Sequence, residues 1–160
     1  MYKRQILLFP AYTVENGIEL WTSDGTEAGT SLLKDINPGN GDSDPHSFFK
    51  AFGRVFFSSF TIEHGRELWV TDGTSQGTQL VMDIEPGVEG SDPKPGDTYN
   101  GYLYFAATAI ADREVWRLDS LSPPQLYVDI NLTAQSRPRE FKSANGLLYF
   151  SCLLYTSRCV

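Results

Sequence analysis

The chain has 160 residues, 41% hydrophobic, 13% aromatic and 21% charged, with a formal net charge of -7, which is the composition of one modest globular domain. No apolar run reaches the length of a bilayer-spanning helix, and the acid excess disfavours nucleic acid, whose phosphates require a Lys/Arg surface. Neither membrane insertion nor nucleic-acid binding is expected.

The chain opens on Met1–Gln5, MYKRQ, which resembles the translation of a transposon mosaic end used in sequencing libraries. It closes on Cys152–Val160, CLLYTSRCV, which resembles the translation of the reverse complement of that element. Residues 1–5 and 152–160 are therefore expected to be non-native ends around a native stretch, 6–151. Without Lys3, Arg4 and Arg158, ten basic residues face twenty acidic ones. Cys152 and Cys159 both fall in the tail, so no disulfide or thiolate metal site is expected of the native stretch.

In the first unit, Glu19-Leu20-Trp21 runs into Asp24-Gly25-Thr26-Glu27-Ala28-Gly29-Thr30 and then into an apolar run, Ser31 to Ile36. This reads as strand, tight connector, strand. Asp24 is placed to accept backbone N–H groups from the residues after it, Thr26 to do the same through its hydroxyl, and Gly25 or Gly29 to take φ > 0. The loop Asn40 to Asp44 has some oxygen-ligand character, and Glu89 to Asp92 echoes it. Both lack the twelfth-position Glu of an EF-hand and read as solvated turns.

The second unit shows all four expected strands, at about Pro45 to Phe52, Val55 to Phe60, Glu67 to Thr71 and Thr78 to Ile84. The runs at Val55 to Phe60 and Glu67 to Trp69 are apolar on both faces, as a sheet covered on both sides requires. Asp72, Gly73, Thr74 and Gly77 repeat the connector. His46 and His64 read as surface residues without repeat partners. In the third unit Glu114-Val115-Trp116 leads into Asp119-Ser120-Leu121-Ser122-Pro123-Pro124, one residue shorter and without glycine, so this turn relies on the fixed φ of proline. Asn131-Leu132-Thr133 matches a glycosylation sequon, a frequent chance match.

These landmarks keep one register. Glu-Leu/Val-Trp recurs at 19, 67 and 114, Asp-Ile at 35, 83 and 129, and Ser-Asp-Pro at 43 and 91, weakened to Ser136-Arg137-Pro138. Four short antiparallel strands per period of about 48 residues describe an all-β fold of propeller-type blades, here an incomplete ring of about three repeats, with an open antiparallel sheet or β-solenoid of the same strands as the rival reading. Trp21, Trp69 and Trp116 are then blade-core residues whose indole N–H groups seek acceptors. Glu19, Glu67 and Glu114 lie beside them and need backbone or Arg/Lys partners. The outermost units present uncovered apolar faces and unpaired edges, so the chain is expected to be aggregation-prone.

The string GIELWTSDGTEAGTSLLKDINPG (17–39), against GRELWVTDGTSQGTQLVMDIEPG (65–87), resembles the ELWxxDGT repeat family of bacterial secreted and surface proteins, and the repeat covers 6–151. The resemblance implies a propeller-like fold and an extracellular or cell-surface location. The leading functional expectation is a non-enzymatic scaffold or binding segment, with a protein or glycan and the other blades of a parent chain as partners. No catalytic, cofactor-binding or metal residue is assigned, since no nucleophile elbow, zinc-protease or nucleotide motif occurs. The alternatives are a glycan hydrolase or lyase, for which the repeat-breaking Arg113, Arg117, Arg137 and Arg139 are too scattered to assign roles, and a lectin-like sugar binder using Tyr12, Tyr99 or Tyr102.

Overall fold

The computed structural model describes residues 6–110, 112–130 and 136–153, and within them it is all-β. The first sheet holds β1 (Leu7–Thr13), β2 (Gly17–Ser23) and β3 (Ser31–Lys34). The second holds β4 (His46–Ala51), β5 (Arg54–Thr61), β6 (Gly65–Thr71) and β7 (Gln79–Met82). The third repeats it with β8 (Lys94–Tyr99), β9 (Tyr102–Ala109), β10 (Asp112–Leu118) and β11 (Gln125–Val128), and a hairpin of β12 (Arg139–Ala144) and β13 (Leu147–Ser151) follows. Each sheet is an antiparallel meander in chain order. The expected ends 1–5 and 154–160, and the sequon at 131–133, lie outside the described residues.

Register repeats along with sequence. Phe9 faces Trp21, Phe57 faces Trp69 and Phe105 faces Trp116 across the same strand pair of each sheet. A bulge falls at Leu20/Trp21, Leu68/Trp69 and Val115/Trp116, where the last strand joins. The four runs expected in the second unit are present as β4 to β7. The last is shorter than expected, ending at Met82 rather than Ile84, because the next backbone N–H groups leave the ladder for the carboxylate of Glu67.

Two-faced apolarity has a direct cause. Successive side chains on a strand point to opposite faces, and each face of the second and third sheets meets a different neighbour. Phe57 and Trp69 pack with Leu20 and Ile36 of the first unit, while Phe56, Leu68 and Val70 pack with Leu103, Phe105 and Trp116 of the third. Tyr104, Ala106 and Val115 on the other face of the third sheet pack with Phe141 of the last hairpin. The sheets therefore stack face to face in chain order, with three apolar layers between them. Each tryptophan faces back toward the preceding unit, so Trp69 and Trp116 are buried, whereas Trp21, on the back face of the first sheet, is only half-buried. For Trp21 this corrects the expectation of a core residue.

Phe105 is fully buried between the second and third sheets. Replacing it with Ala should destabilise the chain by about 3–5 kcal/mol, while Leu121→Ala on an exposed loop should stay within about 0.5 kcal/mol of the parent. Urea denaturation of both variants measures the difference.

Candidate functional site

The buried polar residues form one device built three times. Glu19 is fully buried, and its carboxylate accepts the N–H of Ile36 at 2.7 Å, the N–H of Asn37 at 3.2 Å and the hydroxyl of Ser43 at 2.7 Å. Glu67, also fully buried, accepts the N–H of Glu85 at 3.2 Å and both the N–H and the hydroxyl of Ser91, at 2.7 and 2.5 Å. Glu114 accepts the N–H of Ile130 at 3.0 Å, the N–H of Ser136 at 3.1 Å and its hydroxyl at 2.7 Å. The partners are backbone and serine, with no Arg or Lys among them. Each serine then reaches the next sheet through its carbonyl, which accepts the N–H of Phe60, Thr108 or Leu153 at 2.8, 2.8 and 2.6 Å. Ser-Asp-Pro is thus a strap, held to one sheet by Glu and to the next by its backbone.

Burial pushes the carboxyls of Glu19 and Glu67 above their ordinary value of 4.5, and the serine hydroxyl and backbone N–H groups pull them part of the way back. The turn carboxylates go the other way. The Thr74 hydroxyl holds Asp72 below 3.8, and the N–H groups of Leu121 and Ser122 do the same for Asp119.

The connectors are closed by their own side chains. Asp24 accepts the N–H and hydroxyl of Thr26 at 3.1 and 2.7 Å, and the Thr26 hydroxyl accepts the N–H of Gly29 at 3.0 Å. Asp72, Thr74 and Gly77 repeat this at 2.9, 2.7 and 2.9 Å. Gly25 and Gly73 take φ of 90° and 93°. Gly29 and Gly77 do not take positive φ. They are glycines because a Cβ there would lie 1.9 and 2.0 Å from the carboxylate of Asp24 and Asp72. In the third unit Asp119 accepts the N–H groups of Leu121 and Ser122, both at 2.7 Å, and so keeps the role of Asp24 in a shorter loop.

Other expected residues change meaning. His64 has a repeat partner after all: Asn16 stands at the same place, and the pairs Asn16–Asp35 and His64–Asp83 are 3.2 and 3.0 Å long. His46 is half-buried, with a buried Nδ1 that has no partner, so neither histidine is a plain surface residue. Arg113 does not break the repeat. It bonds the carbonyl and carboxylate of Asp92 at 2.7 Å each, as Arg66 bonds those of Asp44 at 3.0 and 3.1 Å. Arg117 lies between Tyr102 and Tyr127, 4.4 and 4.7 Å from their ring centroids. Arg137 donates its backbone N–H to Arg113, while Arg139 is exposed on β12. Tyr99 donates to the carbonyl of Gly146 at 2.6 Å, and Tyr12 is exposed. In the acidic loops, Asp42 accepts the N–H of Ile18 at 2.8 Å and Asp92 also pairs with Lys94, so the protein itself supplies their partners. The indole N–H groups of Trp21 and Trp116 are buried but find no acceptor, contrary to expectation.

One arrangement has no counterpart in the other units. Oxygen atoms of Asp112, Glu114 and Asp129 lie within 4.8 Å of one another beside a cavity of about 320 Å³. Sequence reasoning missed this cluster. Its signal is the substitution pattern: Asp112 stands where Gly17 and Gly65 stand, and Ala111 where Asn16 and His64 stand.

No protein-family model, curated protein or solved structure matches the chain.

Removing the Ser91 hydroxyl leaves Glu67 a buried carboxylate short of one donor, so Ser91→Ala should destabilise the chain by about 1.5–3 kcal/mol in urea denaturation. The raised carboxyls also set a pH dependence. A group that holds its proton more tightly when folded contributes stability that is fully present below 4.5 and is lost as pH rises through its folded value. The lowered aspartates contribute stability above 3.8 that is lost as pH falls through theirs. The melting temperature should therefore decline from mildly acidic toward neutral pH, and Glu19→Gln combined with Glu67→Gln should flatten that decline. Calorimetry across this range checks both.

Proposed function

We propose that the chain is a non-enzymatic scaffold and binding segment made of β-propeller-type blades, as its resemblance to the ELWxxDGT repeats of bacterial extracellular and surface proteins implies. The observation that carries this reading is the use made of the shared polar residues. Glu19, Glu67 and Glu114, with Ser43, Ser91 and Ser136, are all engaged in equivalent intramolecular bonds, and the Asp-Gly-Thr turns likewise bond to themselves. Residues that recur in every unit and satisfy one another shape the fold. A catalytic site needs unlike groups converging on one point.

The first strands of successive units support the radial arrangement. β4 touches β8, and β8 touches β12, with the Asp97 carboxylate accepting the N–H and hydroxyl of Ser143 at 2.7 and 2.9 Å. Among the last strands, β11 is exposed along its whole length and β7 at both ends, where an outer rim of a wheel would lie, while Leu80 and Val81 of β7 pack on the two adjoining cores. The partners in this reading are a protein or a glycan, together with other blades of a parent chain.

Two measurements test it. Incubation with a panel of neutral and acidic polysaccharides should release no reducing ends above a heat-denatured control, and release would make the chain an enzyme. In hydrogen exchange, the amides of β4 and β8 should be better protected than those of β7 and β11. Equal exchange at the two sides of the sheets would overturn the radial arrangement.

A further inference from the structure

The hairpins β1–β2, β5–β6 and β9–β10 each carry an aliphatic side chain at the same place in the repeat, and it stands out in water. Val14, Ile62 and Ile110 are 75%, 77% and 91% exposed. Turn chemistry does not ask for them, since Gly, Asn, Asp and Ser are the residues that suit tight loops. Their neighbours are not kept: Thr13 and Thr61 give way to Ala109, and Glu15 and Glu63 to Ala111. The third loop is also one residue shorter, with Ala109 paired to Asp112 where Thr61 pairs to Gly65. Ile110 nevertheless holds its place, at a φ of 52°. In the two-residue turns at the opposite end of the third sheet and the last hairpin, Asn100 and Asn145 take that angle. For a β-branched residue it is strained.

The backbone beneath these side chains is fixed. Thr13 and Thr61 close their loops by accepting the N–H of Asn16 and of His64, both at 3.1 Å. Asn37 of the first unit accepts the N–H of Ile62 at 3.1 Å, and Glu85 of the second accepts that of Ile110. Each unit thus sets the position of the aliphatic tip on the next. A partner meets side chains whose backbone is already ordered, which lowers the entropic cost of association. Stacked sheets lie about 10 Å apart, so the three tips form a row with about that spacing.

Charge decides what such a row accepts. Glu15 and Glu63 follow two of the tips, and Glu89 follows Val88, an exposed residue whose backbone lies over Gly65 of the second hairpin. All three glutamates are exposed, and among the described residues no Lys or Arg pairs with them. The cations nearby are spent within the fold, Arg66 on Asp44, and Lys94 and Arg113 on Asp92. A second copy of the chain would set its own carboxylates against these, and an anionic membrane surface would likewise be repelled. A basic protein segment brings the opposite charge. An α-helix rises about 10.5 Å over seven residues and returns to nearly the same face, so aliphatic side chains seven apart match the row.

We propose that the row of Val14, Ile62 and Ile110, with the glutamates beside it, docks an amphipathic helix of a partner protein whose aliphatic residues stand seven apart and are flanked by Lys or Arg. This rests on the reading of the chain as a binding segment and names the chemistry of its protein partner. The test is fluorescence anisotropy of the full chain with a labelled helical peptide of about 20 residues, long enough to hold its helix, carrying three Leu at seven-residue spacing with Lys beside each. One control peptide replaces Leu with Ser and another replaces Lys with Glu. The Leu/Lys peptide should bind saturably, at least tenfold more tightly than either control, and more weakly as salt is raised. Val14→Asn, Ile62→Asn and Ile110→Asn together install an ordinary turn residue, so this variant should keep the circular dichroism spectrum and melt no lower than the parent while weakening the peptide at least tenfold. Glu15→Lys with Glu63→Lys should shift the preference from the Lys peptide toward the Glu peptide. The proposal is overturned by no saturable binding to the folded chain, by equal affinity for either control, by undiminished binding in the triple variant, or by an unchanged preference in the charge variant. Sedimentation decides the other occupants: self-association, or binding to phosphatidylcholine vesicles, that the triple variant abolishes would assign the row to a second copy or to lipid and overturn the proposal. Failure of the broader non-enzymatic reading would appear instead as polysaccharide cleavage, which these measurements do not register.

Discussion

A buried carboxylate that must be hydrogen-bonded is the constraint on which the stacking of sheets depends. Taking a carboxylate out of water costs several kcal/mol. Glu19, Glu67 and Glu114 offset this by accepting three hydrogen bonds each, from the end of their own sheet and from the serine that leads to the next. Because the donors are backbone N–H and hydroxyl groups, the satisfied carboxylate also sets the path of the chain. If the strap moved, a buried charge would lose its donors. The serine's carbonyl then fixes the following sheet, so one local requirement propagates from unit to unit.

The apolar layers act within that frame. A single sheet with Phe56 and Phe57 on opposite faces could not cover both sides, so burial depends on the neighbours, as in other repeat architectures. The gradient along the chain follows. Phe57 and Phe105 in the second and third sheets are fully buried, whereas Leu7 of the first sheet and Leu147 and Tyr149 of the last hairpin are exposed. The pairing of Phe with Trp across each sheet places large rings at one level of every unit, and the bulge at each Trp recurs with them.

Departures from the repeat carry as much information as the repeat. Some preserve the interaction with different atoms: Asp119 caps a shorter turn, and His64 replaces Asn16 against an aspartate. The change at Asp112 is different. It adds a carboxylate to two others, and among the described residues no basic side chain pairs with them.

Much of the architecture was legible in the sequence because period, strand alternation and turn chemistry are local. The four strands of the second unit, the Asp-Gly-Thr connectors and the need of the repeated glutamates for partners all follow from residue type and spacing. The identity of those partners was not legible, since Ser43 lies 24 residues beyond Glu19 and only the fold brings them together. Nor was the reason for Gly29 and Gly77, which is a steric limit set by a neighbouring carboxylate rather than a backbone angle. Spacing alone assigned Trp21 the same burial as Trp69, but burial requires a facing sheet and a repeat pattern does not say which units have one. The convergence of Asp112, Glu114 and Asp129 belongs to the same class: residues up to 17 positions apart meet on one sheet through the pairing of β10 with β11, a contact that only the tertiary structure decides.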